Sequence, residues 1–231
     1  MPHTSRSEGA NMAKHLEKEL ERLKKLIYAL SARVDENLEL AVKSFLENDV
    51  DLARQVMDSD VRIDELEIEV EEECLKALAL YQPVAIDLRF IIAVMKMNND
   101  LERIGDLAAD IAKNGMHINQ APRPKVPLDL YQMTYLAKAI VRKTLDALIN
   151  IDTYLAREVI RDDEEINEMK REMKAEIVEA LKREPEHADS LMTLSAITHR
   201  LERIGDHASN IAEDIIYMVE AEIVRHQSPE Q

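Results

Sequence analysis

Apolar residues along this chain recur in steps of three and four. From Met12 they fall at Leu16, Leu20, Leu23, Ile27, Leu30, Val34, Leu38 and Val42, the spacing of one long amphipathic helix. Asn48-Asp49 interrupts that helix, and residues 1–11 before it read as a disordered tail. A second helix is expected from Val50 to Tyr81. Gln82-Pro83 stops it, because proline disfavours helix in the residue before it. A third runs from Val84 to His117. Three prolines at 122, 124 and 127 then make 119–127 a stiff non-helical linker. Beyond the linker the plan restarts, with helices expected over Leu128–Ile151, Tyr154–Arg183 and His187–Arg225, and with Glu184-Pro185 as the last break.

The two halves are copies of one unit. The string Leu-Glu-Arg-Ile-Gly-Asp stands at Leu101–Asp106 and again at Leu201–Asp206. The register continues through Leu107–Ala112 and His207–Ala212. Further upstream, Asp49–Arg54 aligns with Asp152–Arg157, Asp60 with Asp163, Ile63 with Ile166 and Asp64 with Asn167. The expected fold is therefore all-α: two tandem three-helix bundles related by an internal repeat, six long helices in all. The first bundle covers 12–118 and the second 128–226, and each half is long enough to bury a core.

Composition supports helix throughout, with only four Gly and seven Pro among 231 residues. The formal charge of −16 makes nucleic-acid binding a poor fit, since phosphate neutralisation needs Lys and Arg clusters. It suits cations or a basic partner surface, and it equally suits a plain self-repelling surface. Cys74 is the only cysteine, which excludes an intrachain disulfide and a thiolate cluster and makes a reducing compartment the expectation. With no apolar signal core near Met1 and no run of about 18 apolar residues, the expectation is a cytoplasmic protein without direct membrane insertion.

The chemistry to explain is acidic. On a helical wheel with Glu102 at the origin, Asp106 lies near ~40° and Asp110 near ~80°, while Ile104, Leu107 and Ile111 cluster at roughly 140–200°. The acids thus point away from the apolar stripe, as on an ordinary solvent face. Yet Glu102/Asp106 and Glu202/Asp206 both keep like charges four residues apart, which repel on a helix. Beside them stand Gly105, Ala109 and Ala112, answered by Gly205, Ser209 and Ala212, small residues that let another helix approach. The second helix of each unit offers Asp60-x-x-x-Asp64 and Asp163-x-x-x-Asn167. Four oxygen side chains from two adjacent helices make a cation site, which would remove the cost of clustered carboxylates. Oxygen-only ligands suit Mg, Mn or Ca; iron is feasible and zinc less suited without His. Surface salt bridges to Arg103 and Arg203, or to Arg62 and Arg89, are the competing explanation, and spacing does not choose between them. His199, three residues before Glu202, is a further neighbour. Glu184 and His187 have the spacing of a carboxylate di-iron ligand pair but straddle Pro185. No phosphate loop, nucleophile elbow or zinc spacing is present.

Taken together, the doubled motif, with Gln82-Pro83-Val84-Ala85-Ile86-Asp87-Leu88-Arg89 in the first half and Leu201–Ala208 in the second, resembles the PhoU family of phosphate-transport accessory proteins. The likeness runs from about Leu16 to Arg225. It implies a regulator, not an enzyme: a cytoplasmic negative regulator of phosphate uptake and phosphate-starvation signalling. Such a protein is an adaptor between the ATPase subunit of a phosphate ABC transporter and a sensor histidine kinase, and is commonly a homodimer. It also implies surface metal clusters of iron or zinc on the paired acidic motifs. Those would fall on Asp60, Asp64, Glu102 and Asp106 in one half and on Asp163, Glu202 and Asp206 in the other. Asn167 departs from that pattern and weakens the second set. The alternative class is a metal-handling helical protein using the same carboxylates for di-metal chemistry.

Overall fold

The computed structural model describes residues 4–118 and 129–221. Six helices carry the chain: α1 Thr4–Glu47, α2 Val50–Tyr81, α3 Ala85–Ile118, α4 Leu130–Asn150, α5 Thr153–Arg183 and α6 Ala188–Glu220. A short 3₁₀ turn, Pro185–His187, leads into α6. Helices α1, α2 and α3 pack on one another, and so do α4, α5 and α6. Two tandem three-helix bundles are therefore present, as the repeat implies.

The breaks have local causes repeated in both units. Asp49 and Asp152 cap α2 and α5, accepting hydrogen bonds from the backbone N–H of Leu52 (2.9 Å) and Leu155 (3.0 Å). The residue before each cap, Asn48 or Ile151, sits at φ 60° or 53°, which turns the chain out of the preceding helix. Asparagine tolerates that left-handed conformation; a β-branched isoleucine does so at a cost.

Two boundaries differ from the periodicity reading. α1 begins at Thr4, so residues 4–11, expected as a disordered tail, form its opening turns. Apolar spacing marks only where a helix starts to bury a face. Once nucleated, a helix propagates into polar residues of adequate propensity. α6 stops at Glu220 rather than Arg225, because Ala221 turns to φ 61° and its N–H bonds the Tyr217 carbonyl at 3.0 Å. The expected linker, 119–127, like the chain beyond 221, falls outside the described residues.

The units do not bury separate cores. One apolar cluster runs from Leu23 on α1 through Leu101 and Ile104 on α3 to Leu201 and Ile204 on α6. α3 and α6 form the largest helix contact in the molecule, and α1 also meets α4. Lys96 reaches Asp214 (3.3 Å), Asp100 meets His207 (2.8 Å), and Arg200 donates to Asp110 (2.9 Å). These pairs run in opposite chain directions, so α3 and α6 are antiparallel and the two Leu-Glu-Arg-Ile-Gly-Asp strings lie across from one another. Cys74 is sealed in the α2 side of this core. Burial, then Glu71 and Glu73, push its thiol up to about 12, so it is unreactive at neutral pH.

A shared core has a measurable consequence. Ile104→Ala should cost about 2–5 kcal/mol and lower the midpoint of a single urea transition that melts both bundles together. Two separated transitions by circular dichroism would show independent cores.

Candidate functional site

Helix α2 lies against α3 at the glycine of the repeated string. A Cβ on Gly105 would come within 2.9 Å of Ile63 Cδ1 and 3.4 Å of Asp60 Oδ1. In the second unit a Cβ on Gly205 would run into the Asp163 carboxylate. Glycine at these two places admits the neighbouring helix and, with it, the aspartate that helix carries. Ile63 and Ile166 are fully buried under the contact, so Asp60 and Asp163, three residues earlier on the same helix face, are drawn in beside them.

The result is carboxylate held partly out of water. Burial, then the charges of Asp106, Asp64 and Asp110, raise Asp60 to about 6. Burial and then Asp106 raise Glu102, with Arg103 opposing. Burial, then Asp206, raise Asp163 to about 7, although the Asn167 amide donates to it at 3.3 Å and lowers it. Asp206 is raised by burial and then by Glu202. In each unit the same two oxygens are buried without a hydrogen bond: Asp60 Oδ1 and Glu102 Oε2, Asp163 Oδ1 and Glu202 Oε2. Arg103 Nε at 3.4 Å and His199 Nδ1 at 3.3 Å lie within ion-pair range of the two glutamate oxygens but do not hydrogen-bond them.

All seven acids expected at the sites therefore lie at the α2–α3 and α5–α6 grooves. Their setting differs from the wheel argument. Glu102 is not on a solvent face: its side chain is 21 % exposed, against 46 % for Asp106 one turn on. The wheel placed it relative to its own helix and could not register α2 closing over it. The salt-bridge reading holds in part. Arg103 spans Glu102 and Asp106 (3.3 Å to the latter), whereas Arg62 goes to Glu65 instead. Among the described residues, no three His, Cys, Asp or Glu side chains are already grouped to enclose a metal ion.

Sequence reasoning missed Lys170. Its ammonium is 2.5 Å from Glu202 and neutralises the second groove from within. The signal was available: the offset that puts Asp163 on Asp60 also puts Lys170 on Glu67. Glu67 is itself raised by burial and its neighbours Glu71 and Asp64, and it accepts from Asn98 (3.2 Å). The first groove thus gathers Asp60, Asp64, Glu67, Glu102 and Asp106. The second sets Asp163, Glu202 and Asp206 beside an amide and an ammonium. Where α3 crosses α6, a cleft of ≈ 380 Å³ joins Asp60, Asp106 and Asp110 to Arg203 and His207 of the other unit.

What the fold and grooves define is a duplicated all-α bundle protein with an acid-bearing groove in each copy. The PhoU domain model matches twice, over residues 27–115 and 130–215. The "Phosphate-specific transport system accessory protein PhoU homolog" of Aquifex aeolicus is 36% identical over 210 residues, covering 91% of this chain and 95% of that protein. The "Phosphate-specific transport system accessory protein PhoU homolog 1" of Thermotoga maritima is 34% identical, covering 88% of each. The crystal structure of PhoU from Pseudomonas aeruginosa superposes with a TM-score of 0.86 at 32% identity, covering 89% of this chain and 99% of that one. That of the phosphate transport system regulatory protein PhoU from Streptococcus pneumoniae gives 0.82 at 28%, covering 90% and 99%. The chain belongs to the PhoU family.

The raised aspartates carry a definite sign. An unfolded aspartate titrates near ~3.9, so between that pH and about 6–7 the folded chain holds more protons than the unfolded one at Asp60 and Asp163. Their contribution to stability is fully present below the unfolded value and is lost as pH rises through 6 to 7. In metal-free protein the melting temperature should fall from pH 5 to pH 8. Asp60→Asn with Asp163→Asn should flatten that slope and raise the melting temperature at pH 8. An unchanged slope in the double variant would show that these groups are not desolvated.

Proposed function

We propose that this protein is a phosphate-transport accessory protein: a non-catalytic negative regulator that links a phosphate ABC transporter ATPase subunit to a sensor histidine kinase. The observation that carries the proposal is the same acid-bearing groove built twice, in a chain whose relatives are named as accessory proteins of the phosphate-specific transport system. Two antiparallel copies of the motif present partner-facing charge on one cleft, and a docking surface is what such duplication supports.

The grooves are also proposed as cation sites. The donor set fits: buried oxygens without hydrogen bonds occur at matching positions of both units, and in the first the cation set against them is the half-exposed Arg103. Asp60, Asp64, Glu102 and Asp106 would hold the first cation, and Asp163, Glu202 and Asp206 the second. Mg, Mn, iron and zinc are the ions in view. A bound cation would supply charge neutralisation and a rigid link between two helices. Lys170 already performs part of that neutralisation in the second groove, so the first is the stronger site. Di-metal chemistry has less support, because the two grooves differ in their donors. Cytoplasmic location and homodimer formation belong to the same proposal; no described helix is long and apolar enough to cross a membrane.

Two experiments test this reading. Lysine at both Glu102 and Asp106 should release phosphate-starvation genes from repression in phosphate-rich cells, and normal repression by that folded variant would refute the adaptor role. Mn at ~100 times its Kd should stabilise the chelated protein by about 2.7 kcal/mol. Asp60→Asn with Asp106→Asn should remove most of that gain, while Asp163→Asn removes less. Equal loss in both would contradict the ranking of the grooves.

A further inference from the structure

Helix α2 turns an apolar seam to solvent. Val61, Ile68 and Leu75 stand seven residues apart and are 60%, 53% and 51% exposed; Met57 extends the row. Seven residues make nearly two helical turns, so the row keeps to one face of α2, where an apposed helix could run along it. The row spans roughly 27 Å at 1.5 Å per residue, and it lies across α2 from buried Ile63, Val70 and Ala77.

The second unit provides an internal control. Ala53, Val56, Ile63, Val70 and Ala77 are buried, and so are Ala156, Val159, Ile166, Met173 and Ala180 at a constant offset. In that register Val61 corresponds to Glu164 and Ile68 to Arg171. Those two residues pair with each other on the surface of α5 at 2.9 Å. The bundle therefore folds with charged residues at both positions, and core packing does not require Val61 and Ile68 to be apolar.

The flanks of the seam say what covers it. α2 carries ten carboxylates against three basic residues. Each base is paired close to home: Arg54 with Asp51, Arg62 with Glu65, and Lys76 with Glu73 and Glu19. Asp58 and Glu72 border the row on one side, Asp64 and Glu71 on the other. A second copy of α2 laid on this face would set acid against acid, and an anionic membrane would be repelled in the same way. A cationic helix would place apolar residues in the row and Lys or Arg along both flanks.

We infer that the exposed face of α2 is a docking site for a basic amphipathic helix of a partner protein. This extends the adaptor reading by naming the chemistry of one partner. It is separately testable, because peptide binding can fail while phosphate-dependent repression stands.

The probe is a synthetic helical peptide of three heptads (about 21 residues) with leucine at the a and d positions and lysine at e and g. The test protein is the full chain and its Val61→Glu/Ile68→Arg variant, which borrows the α5 residues and keeps net charge unchanged. Fluorescence anisotropy should show saturable binding that weakens at least tenfold in the variant and weakens further with added salt. A melting temperature close to wild type shows that the variant folds. Equal affinity for both proteins would reduce the interaction to bulk charge and overturn the inference. So would sedimentation velocity showing a dimer that the variant dissociates, since a second copy would then own the face. Vesicles of phosphatidylglycerol that bind wild type but not the variant would assign the seam to lipid and overturn it as well.

Discussion

The close approach of two helices at a glycine governs this molecule. Where α3 carries Gly105, Ile63 of α2 settles into the space a Cβ would fill, and Asp60 follows it in. Between α6 and α5 the Asp163 carboxylate itself takes the space beside Gly205, with Ile166 in contact next to it. Burying the isoleucines is favourable, by roughly 1.5–3 kcal/mol each. It also drags a carboxylate partly out of water beside two others, which is unfavourable. The apolar gain holds the helices together, and the desolvated acids are left as a store of unsatisfied charge aimed into a groove.

How each unit relieves that charge is where the duplicated halves part. The second relieves part of it internally. Lys170 lies against Glu202, Asn167 donates to Asp163, and His199 stands within reach of Glu202. The first has Asp64 and Glu67 at the corresponding positions; Asn98 donates to Glu67, and Arg103, the cation beside Glu102, has a half-exposed side chain and is therefore weakly felt. The two units therefore differ in how much of this charge the chain's own residues relieve: more in the second groove, less in the first. The α2 seam follows the same division, with Val61 and Ile68 facing solvent where α5 has closed an ion pair on itself.

The antiparallel α3–α6 contact turns two such units into one body. Its apolar centre is continuous with both bundles, and its edges are held by Lys96–Asp214, Asp100–His207 and Asp110–Arg200. Because the repeated strings meet across this contact, Arg203 and His207 of one unit enter the cleft that holds Asp60 and Asp106 of the other. The cleft is thus lined by both halves of the chain.

Much of this was legible in the order of residues. The repeat was legible in the doubled string itself, and helix number with the breaks at Asp49, Pro83, Asp152 and Pro185 follows from local rules: capping, the backbone limits of proline, and the 3.6-residue period that sorts apolar from polar positions. What only tertiary structure decided depends on how far apart helices lie and how they are rotated about their axes. That decided that Glu102 is covered although its own helix turns it outward, that Lys170 meets Glu202 across a groove, and that two bundles share a single core. Periodicity reports which face of a helix is buried but not which helix buries it, so contacts between helices far apart in the chain are set by packing over the whole fold.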